Sequence, residues 1–255
     1  MTSPALNLRY VRVDLARTMR DVSTIMFIFL MPPLLFLVFG SSQQMVQVMH
    51  ANLRFYVLGG MAAYGATTGA VSIVGQAANE AMQGWGRQIA LTKAPARGMV
   101  TNKVALTLIV CSASIVVTLL VGLATGAHAE IGVWWGTFLG CLVGSLMFAV
   151  YGLAVGLNFR AESAVGAASA GMVFFSFLGN VFMPLSSVML TIAHFTPMYG
   201  VMALVRWPQL RGNVVSTDGV QGSDSMWQLV LSVVVWLAIF TAFALRGVRV
   251  ARTRR

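Results

Sequence analysis

Acidic side chains are scarce in this chain. Asp and Glu number 7 in 255 residues, and charged residues of both signs make up only 9%. A soluble domain carries about 25%, so a water-exposed globular surface is excluded. Cysteine is nearly missing: Cys111 and Cys141 both fall inside apolar runs. That excludes a disulfide or metal framework and leaves them as small packing residues. His50, His128 and His194 are dispersed in external segments and read as solvated loop residues. There is no Gly-x-x-x-x-Gly-Lys-[Ser/Thr] loop, so ATP binding in that mode is excluded for this chain. Neither a Gly-x-Ser-x-Gly elbow nor a His-Glu-x-x-His helix occurs. No catalytic, cofactor-binding or metal-binding residue is assigned, and the chain reads as not an enzyme.

What is abundant is apolar. Hydrophobic residues make up 58% and the mean hydropathy is +0.80. A helical span needs roughly 20 apolar residues. Six stretches fit, at about 22–40, 55–77, 104–125, 132–157, 164–183 and 227–246. They are too long for barrel strands and lack period-two alternation, so helices are predicted. The expected fold is an all-α integral membrane protein with one domain over residues 1–255. An Arg-bearing segment precedes the first span, and no small-residue cleavage site follows it, so a signal peptide is not expected.

Charge sets the orientation. With the N-terminus inside, all but Arg54, Arg206 and Arg211 of the 17 Lys and Arg fall inside. This is a strong positive-inside bias, and both termini are read as cytoplasmic in a cell membrane. The net charge of +10 is topogenic and faces anionic lipid rather than nucleic acid. Residues 5–20 read as an amphipathic interfacial helix, with Leu8, Val11, Leu15 and Met19 on one side and Arg9, Arg17 and Arg20 on the other.

Several features punctuate the spans. Met31-Pro32-Pro33 interrupts the first, giving either a bend that lines a cavity or a kink that only packs. The fifth begins with small residues from Gly166 to Gly171 and turns aromatic at Phe174, Phe175 and Phe177; tight helix approach is expected at its start. Residues 184–203, bracketed by Pro184 and Pro197, are apolar yet too short to span. They read as an outer re-entrant hairpin whose face Val188, Leu190, Ile192 and Phe195 packs near Phe182. The middles of the spans hold no Asp, Glu, Lys or Arg. That argues against a proton- or ion-coupled carrier, and energy must come from another chain. Residues 79–103 form the cytoplasmic loop where a soluble partner could push. Gly84 and Gly86 permit a bend, Trp85 suits the interface, and Arg87 and Lys93 are cations.

Glu80, Gly84, Trp85, Arg87, Leu91, Thr92, Pro95 and Lys103 resemble the coupling-helix motif of ABC transporter permeases of the type-2 exporter class. Gly179, Pro184, Pro197 and Tyr199 are similar to that family's signature around the outer re-entrant helices. The chain has Thr92-Lys-Ala-Pro95 where many members place Thr and Pro closer together. The resemblance implies a complex of two permeases, identical or homologous, with two ATP-binding cassette subunits that carry the ATP and Mg. It implies a substrate path between the permeases, lined by the first, second and fifth spans. Met31, Pro32, Phe174, Phe175 and Phe177 are the expected path residues, and they suit a hydrophobic, drug-like or lipid-like cargo. Phe182, Pro184, Pro197 and Tyr199 are the expected outer gate. A non-transport sensor or assembly subunit and a secondary carrier remain the alternatives.

Overall fold

Apolar runs as long as a bilayer is thick have one stable isolated form, the internally hydrogen-bonded helix. In a computed structural model the chain takes it. The structure describes residues 8–40, 43, 46–81, 96–159, 162–217 and 219–253. The elements are α1 (Leu8–Thr18), α2 (Val22–Ile25), a π-helical turn (Met26–Leu30), α3 (Met31–Phe39), β1 (Gln47–Val48), β2 (Ala51–Asn52), α4 (Leu53–Glu80), α5 (Ala96–Ala124), α6 (Ile131–Asn158), α7 (Glu162–Leu178), α8 (Ser187–Ala193), α9 (Pro197–Leu210), β3 (Asn213–Ser216), β4 (Gly219–Ser223) and α10 (Met226–Thr253). Among the described residues, four helical stretches are long and apolar enough to cross a membrane: Leu53–Glu80, Thr101–Ala124, Ile131–Asn158 and Met226–Arg249. Met26–Phe39 and Ser163–Leu178 are shorter, and α8 and α9 meet at a 106° bend. The architecture is all-α, with two antiparallel two-stranded ribbons, β1–β2 and β3–β4.

Helix α4 is the axis of the bundle. The Asn52 side chain caps it by accepting from the Phe55 amide at 3.0 Å. Nearly half of its residues are Gly, Ala or Thr, and most of the helix is buried. Small side chains let α6 approach its backbone directly. A Cβ at Gly152 would press on the Val71 carbonyl, and one at Gly156 on the Gly75 carbonyl. The four-residue step on α6 thus matches the four-residue step on α4, the geometry of small-xxx-small packing.

The proline pair acts where expected. Pro32 has no N–H for the carbonyl four residues back, that of Ile28. The ladder widens there into the π-helical turn, and the Ser114 hydroxyl of α5 donates to the freed Ile28 oxygen at 2.6 Å. Pro32 itself is buried against Gly65 of α4.

The fifth expected span ends early. Helix α7 stops at Leu178, and Asn180 turns left-handed with φ +60. Phe182 and Pro184 therefore lie beyond the helix rather than within or at the top of a span reaching 183. The turn rests on α4 at Gly60, where a side chain would collide with the Val181 carbonyl. Arg206 of α9 closes it. This residue, expected in an outer loop, is buried. Its guanidinium donates to the Asn180 carbonyl at 2.5 Å and the Val181 carbonyl at 3.0 Å, and stacks 3.6 Å from the Tyr56 ring centroid. One cation thus satisfies two carbonyls of the turn that follows α7.

Candidate functional site

Two ion pairs pin α1 to the helices that flank residues 82–95. Arg17 Nη2 lies 2.9 Å from Glu80 Oε1 at the end of α4. Lys103 Nζ lies 2.6 Å from Asp14 Oδ2. Lys103 does not close a loop as expected; it sits about two turns inside α5, which already starts at Ala96. The Arg17 side chain is 72% exposed, and such pairs contribute little. Lys103 and Asp14 are only 15% and 12% exposed, so neither charge is easily left alone. The stripe of α1 turns onto the bundle: Val11 is buried, and Leu15 and Met19 pack on Ile28, Ile73, Leu106 and Val110. Leu8 stays exposed. Of the coupling-motif residues, Gly84, Trp85, Arg87, Leu91, Thr92 and Pro95 lie outside the described residues.

Beside these pairs opens a vestibule of about 640 Å³, whose lining includes Asp14, Arg17, Asp21, Asn79, Glu80 and Lys103. A second cavity of about 310 Å³ adjoins it, and Thr24, Ser72 and Gln76 line both. This groove lies between three elements. The α2 and π-helical segment contributes Thr24, Phe27 and Ile28; α4 contributes Tyr64, Thr68, Ser72 and Gln76; α7 contributes Gly166, Ser169, Ala170 and Val173. The α7 residues recur at helical spacing. The α4 residues form a row stepping by four, and Gln76 donates to Ser72 at 3.0 Å.

None of the five expected path residues lines this groove. Pro32 is spent on Gly65, and Met31 is partly buried. Phe175 turns away to meet Tyr151 edge-on, with centroids 6.0 Å apart. Phe177 sits one turn above the α7 stripe and meets Phe182 at 4.7 Å; Phe174 is exposed. The missed signal was the polar row Tyr64, Thr68, Ser72 and Gln76 inside an otherwise apolar run.

At the opposite end of α4, the expected gate residues are separately engaged. Phe182 is buried among Phe39, Tyr64 and Phe177. Pro184 is partly buried, whereas Pro197 is buried in the first turn of α9. Tyr199 donates its hydroxyl to Asp224 Oδ2 at 2.6 Å. The expected hairpin face is mostly exposed, although its helix touches α7. Val188, Ile192 and Phe195 are exposed, and only Leu190 turns inward, onto Ala193, Tyr199 and Leu229. A seven-residue helix has room to bury only one side, and α9 and α10 occupy that side.

The histidines are not all isolated. His50 Nδ1 lies 2.9 Å from Glu130. His194 Nε2 lies 3.1 Å from Asp224 Oδ1 while its ring stacks 4.2 Å from that of Tyr199. The hydrogen bond to Asp224 raises the His194 pKa above 6.5, against burial. Burial works against the Asp224 carboxylate, but the bonds from His194 and Tyr199 outweigh it and hold its pKa below 3.8. His194 therefore stabilises the fold below pH 6.5 and loses that contribution as pH rises through its raised value. Asp224 contributes above 3.8 and fails as pH falls through its lowered value. The melting temperature is expected to drop slightly as pH climbs above 6.5, and the drop to vanish in His194→Gln. An equal drop in both proteins rules out this latch.

No protein-family model matches the chain, and no curated protein matches it.

Proposed function

We propose that the chain is the membrane-spanning permease subunit of an ATP-driven exporter, powered by separate ATP-binding subunits. It works beside a second permease, sits in the cell membrane with both termini in the cytoplasm, and moves a hydrophobic drug-like or lipid-like substrate outward. Residues 82–95, between α4 and α5, form its coupling segment.

The observation that carries this reading is the shared use of α4. Glu80 closes the helix, at the edge of the coupling segment and in the grip of Arg17. One turn earlier Gln76 lines the groove, and Ser72 another turn earlier. A push on the coupling segment thus acts on the helix that forms one groove wall. The helix runs unbroken from Ser72 to Glu80, so the motion travels along one rigid element.

The test is reconstitution with a phosphate-loop ATPase encoded in a neighbouring reading frame. The two chains are expected to purify together. Inverted vesicles should then take up a lipophilic dye only with hydrolysable ATP. Failure of the ATPase to bind, or uptake that follows the proton gradient instead, overturns the assignment.

A further inference from the structure

The groove between α2, α4 and α7 has a chemical character that narrows its cargo. Its polar lining residues are Thr24, Tyr64, Thr68, Ser72, Gln76 and Ser169, and not one of them carries a charge. The remainder is apolar: Phe27 and Ile28 on one wall, Gly166, Ala170 and Val173 on another. The ionised side chains stop at the vestibule below, where Asp14 pairs with Lys103, Glu80 pairs with Arg17, and the Asp21 carboxylate accepts from the groove residue Thr24 at 2.6 Å. Two groove hydroxyls on facing helices are buried with hydrogen-bonding capacity to spare: among the described residues Ser169 Oγ on α7 has no partner, and Thr68 Oγ1 on α4 has only the Tyr64 hydroxyl beside it. A buried polar atom left unmade is costly, so the empty groove leaves hydrogen-bonding capacity on both walls. A volume of about 310 Å³ falls at the small end of ordinary ligand pockets.

We infer that this groove binds an uncharged amphiphile, whose hydroxyl or carbonyl groups bridge Thr68 and Ser169 while its apolar body lies against Phe27, Ile28 and Val173. The inference rests on the permease reading for the word cargo, but not for binding itself. A permanent cation has no carboxylate to meet inside the groove and would be stripped of water without compensation. An anion has no cation to meet. Hydroxyls suit the neutral case because each can donate or accept.

The test uses the full chain in nanodiscs, with no ATPase present. Equilibrium dialysis measures chloramphenicol, a neutral hydroxylated amide, against tetraphenylphosphonium, a permanent cation. Saturable binding is expected for chloramphenicol and none for the cation. Ser169→Ala should weaken chloramphenicol about fivefold, the equivalent of one net hydrogen bond, and Ser169→Thr should restore it. Thr68→Val should have a similar effect, provided its melting temperature matches the parent.

Absent chloramphenicol binding, binding that ignores Ser169→Ala, or saturable tetraphenylphosphonium binding that Ser169→Ala weakens would each overturn the inference. Cation attraction to the Tyr64 and Phe27 rings would produce the last of these. The two proposals fail separately. An ATPase that binds and drives uptake by a chain with no neutral-ligand site leaves the permease standing without this cargo class. A groove that binds chloramphenicol in a chain no ATPase joins leaves the site standing without the permease.

Discussion

Arg206→Met should lower stability by about 3 kcal/mol, close to a 10 °C loss in melting temperature for a chain of this length. The reason is local. Methionine fills much of the same space but donates nothing, so the Asn180 and Val181 carbonyls lose their partners in a site that water does not reach. Each buried acceptor left unmade costs about 1–3 kcal/mol. The lost stacking on Tyr56 adds to this. Arg206→Lys should fall between, because one ammonium cannot hold both carbonyls with a planar fork. A melting curve for Arg206→Met that overlays the parent would show that the turn after α7 does not depend on the guanidinium.

Lys103→Met should cost about 2 kcal/mol and loosen α1, which would keep its apolar contacts and the Arg17–Glu80 pair. Asp14 would remain largely buried with its cation gone, and an unpaired buried charge is worse than no charge. The paired change Asp14→Asn with Lys103→Met should recover most of the lost stability, since both charges leave together. Coupling should not recover. If the permease proposal holds, ATP turnover with the partner subunits should stay uncoupled from uptake in both variants, because α1 and α5 no longer move as one. Protease access to residues 8–18 should rise in the single variant. A double variant no more stable than Lys103→Met would remove the ion pair as the cause.

Much of the helical layout was legible because hydropathy reports it directly. The run expected at 132–157 is helix Ile131–Asn158, and that at 55–77 is Leu53–Glu80. Hydropathy overran at α7, since Val181 and Phe182 are as apolar as the helix before them. Only the left-handed turn at Asn180 marks the end. The burial of Arg206 was not foreseen because its partners are backbone carbonyls, which leave no trace in a sequence. The pairs His194–Asp224 and His50–Glu130 join residues 30 and 80 apart, distances that no local pattern spans. The groove was missed for a different reason. Large aromatic residues drew attention on α7, whereas the groove-facing positions there are small. On α4 the four-step row of Tyr64, Thr68, Ser72 and Gln76 stood in plain view among alanines and glycines.

The burial of α4 has a consequence for biosynthesis. It is the least apolar of the four long helices and the one most completely wrapped by protein. Its surroundings are side chains of α5, α6 and α7, not acyl tails. Yet it leaves the ribosome ahead of all three. A nascent chain that has reached only Glu80 therefore offers the insertion machinery a helix with weak affinity for lipid and only the π-helical turn and α3 to cover part of it. Retention of α4 is a late, collective event, completed when α6 delivers Gly152 and Gly156. Lesions at those two glycines should surface as quality-control turnover of newly made chains, before any defect in the mature protein has a chance to appear.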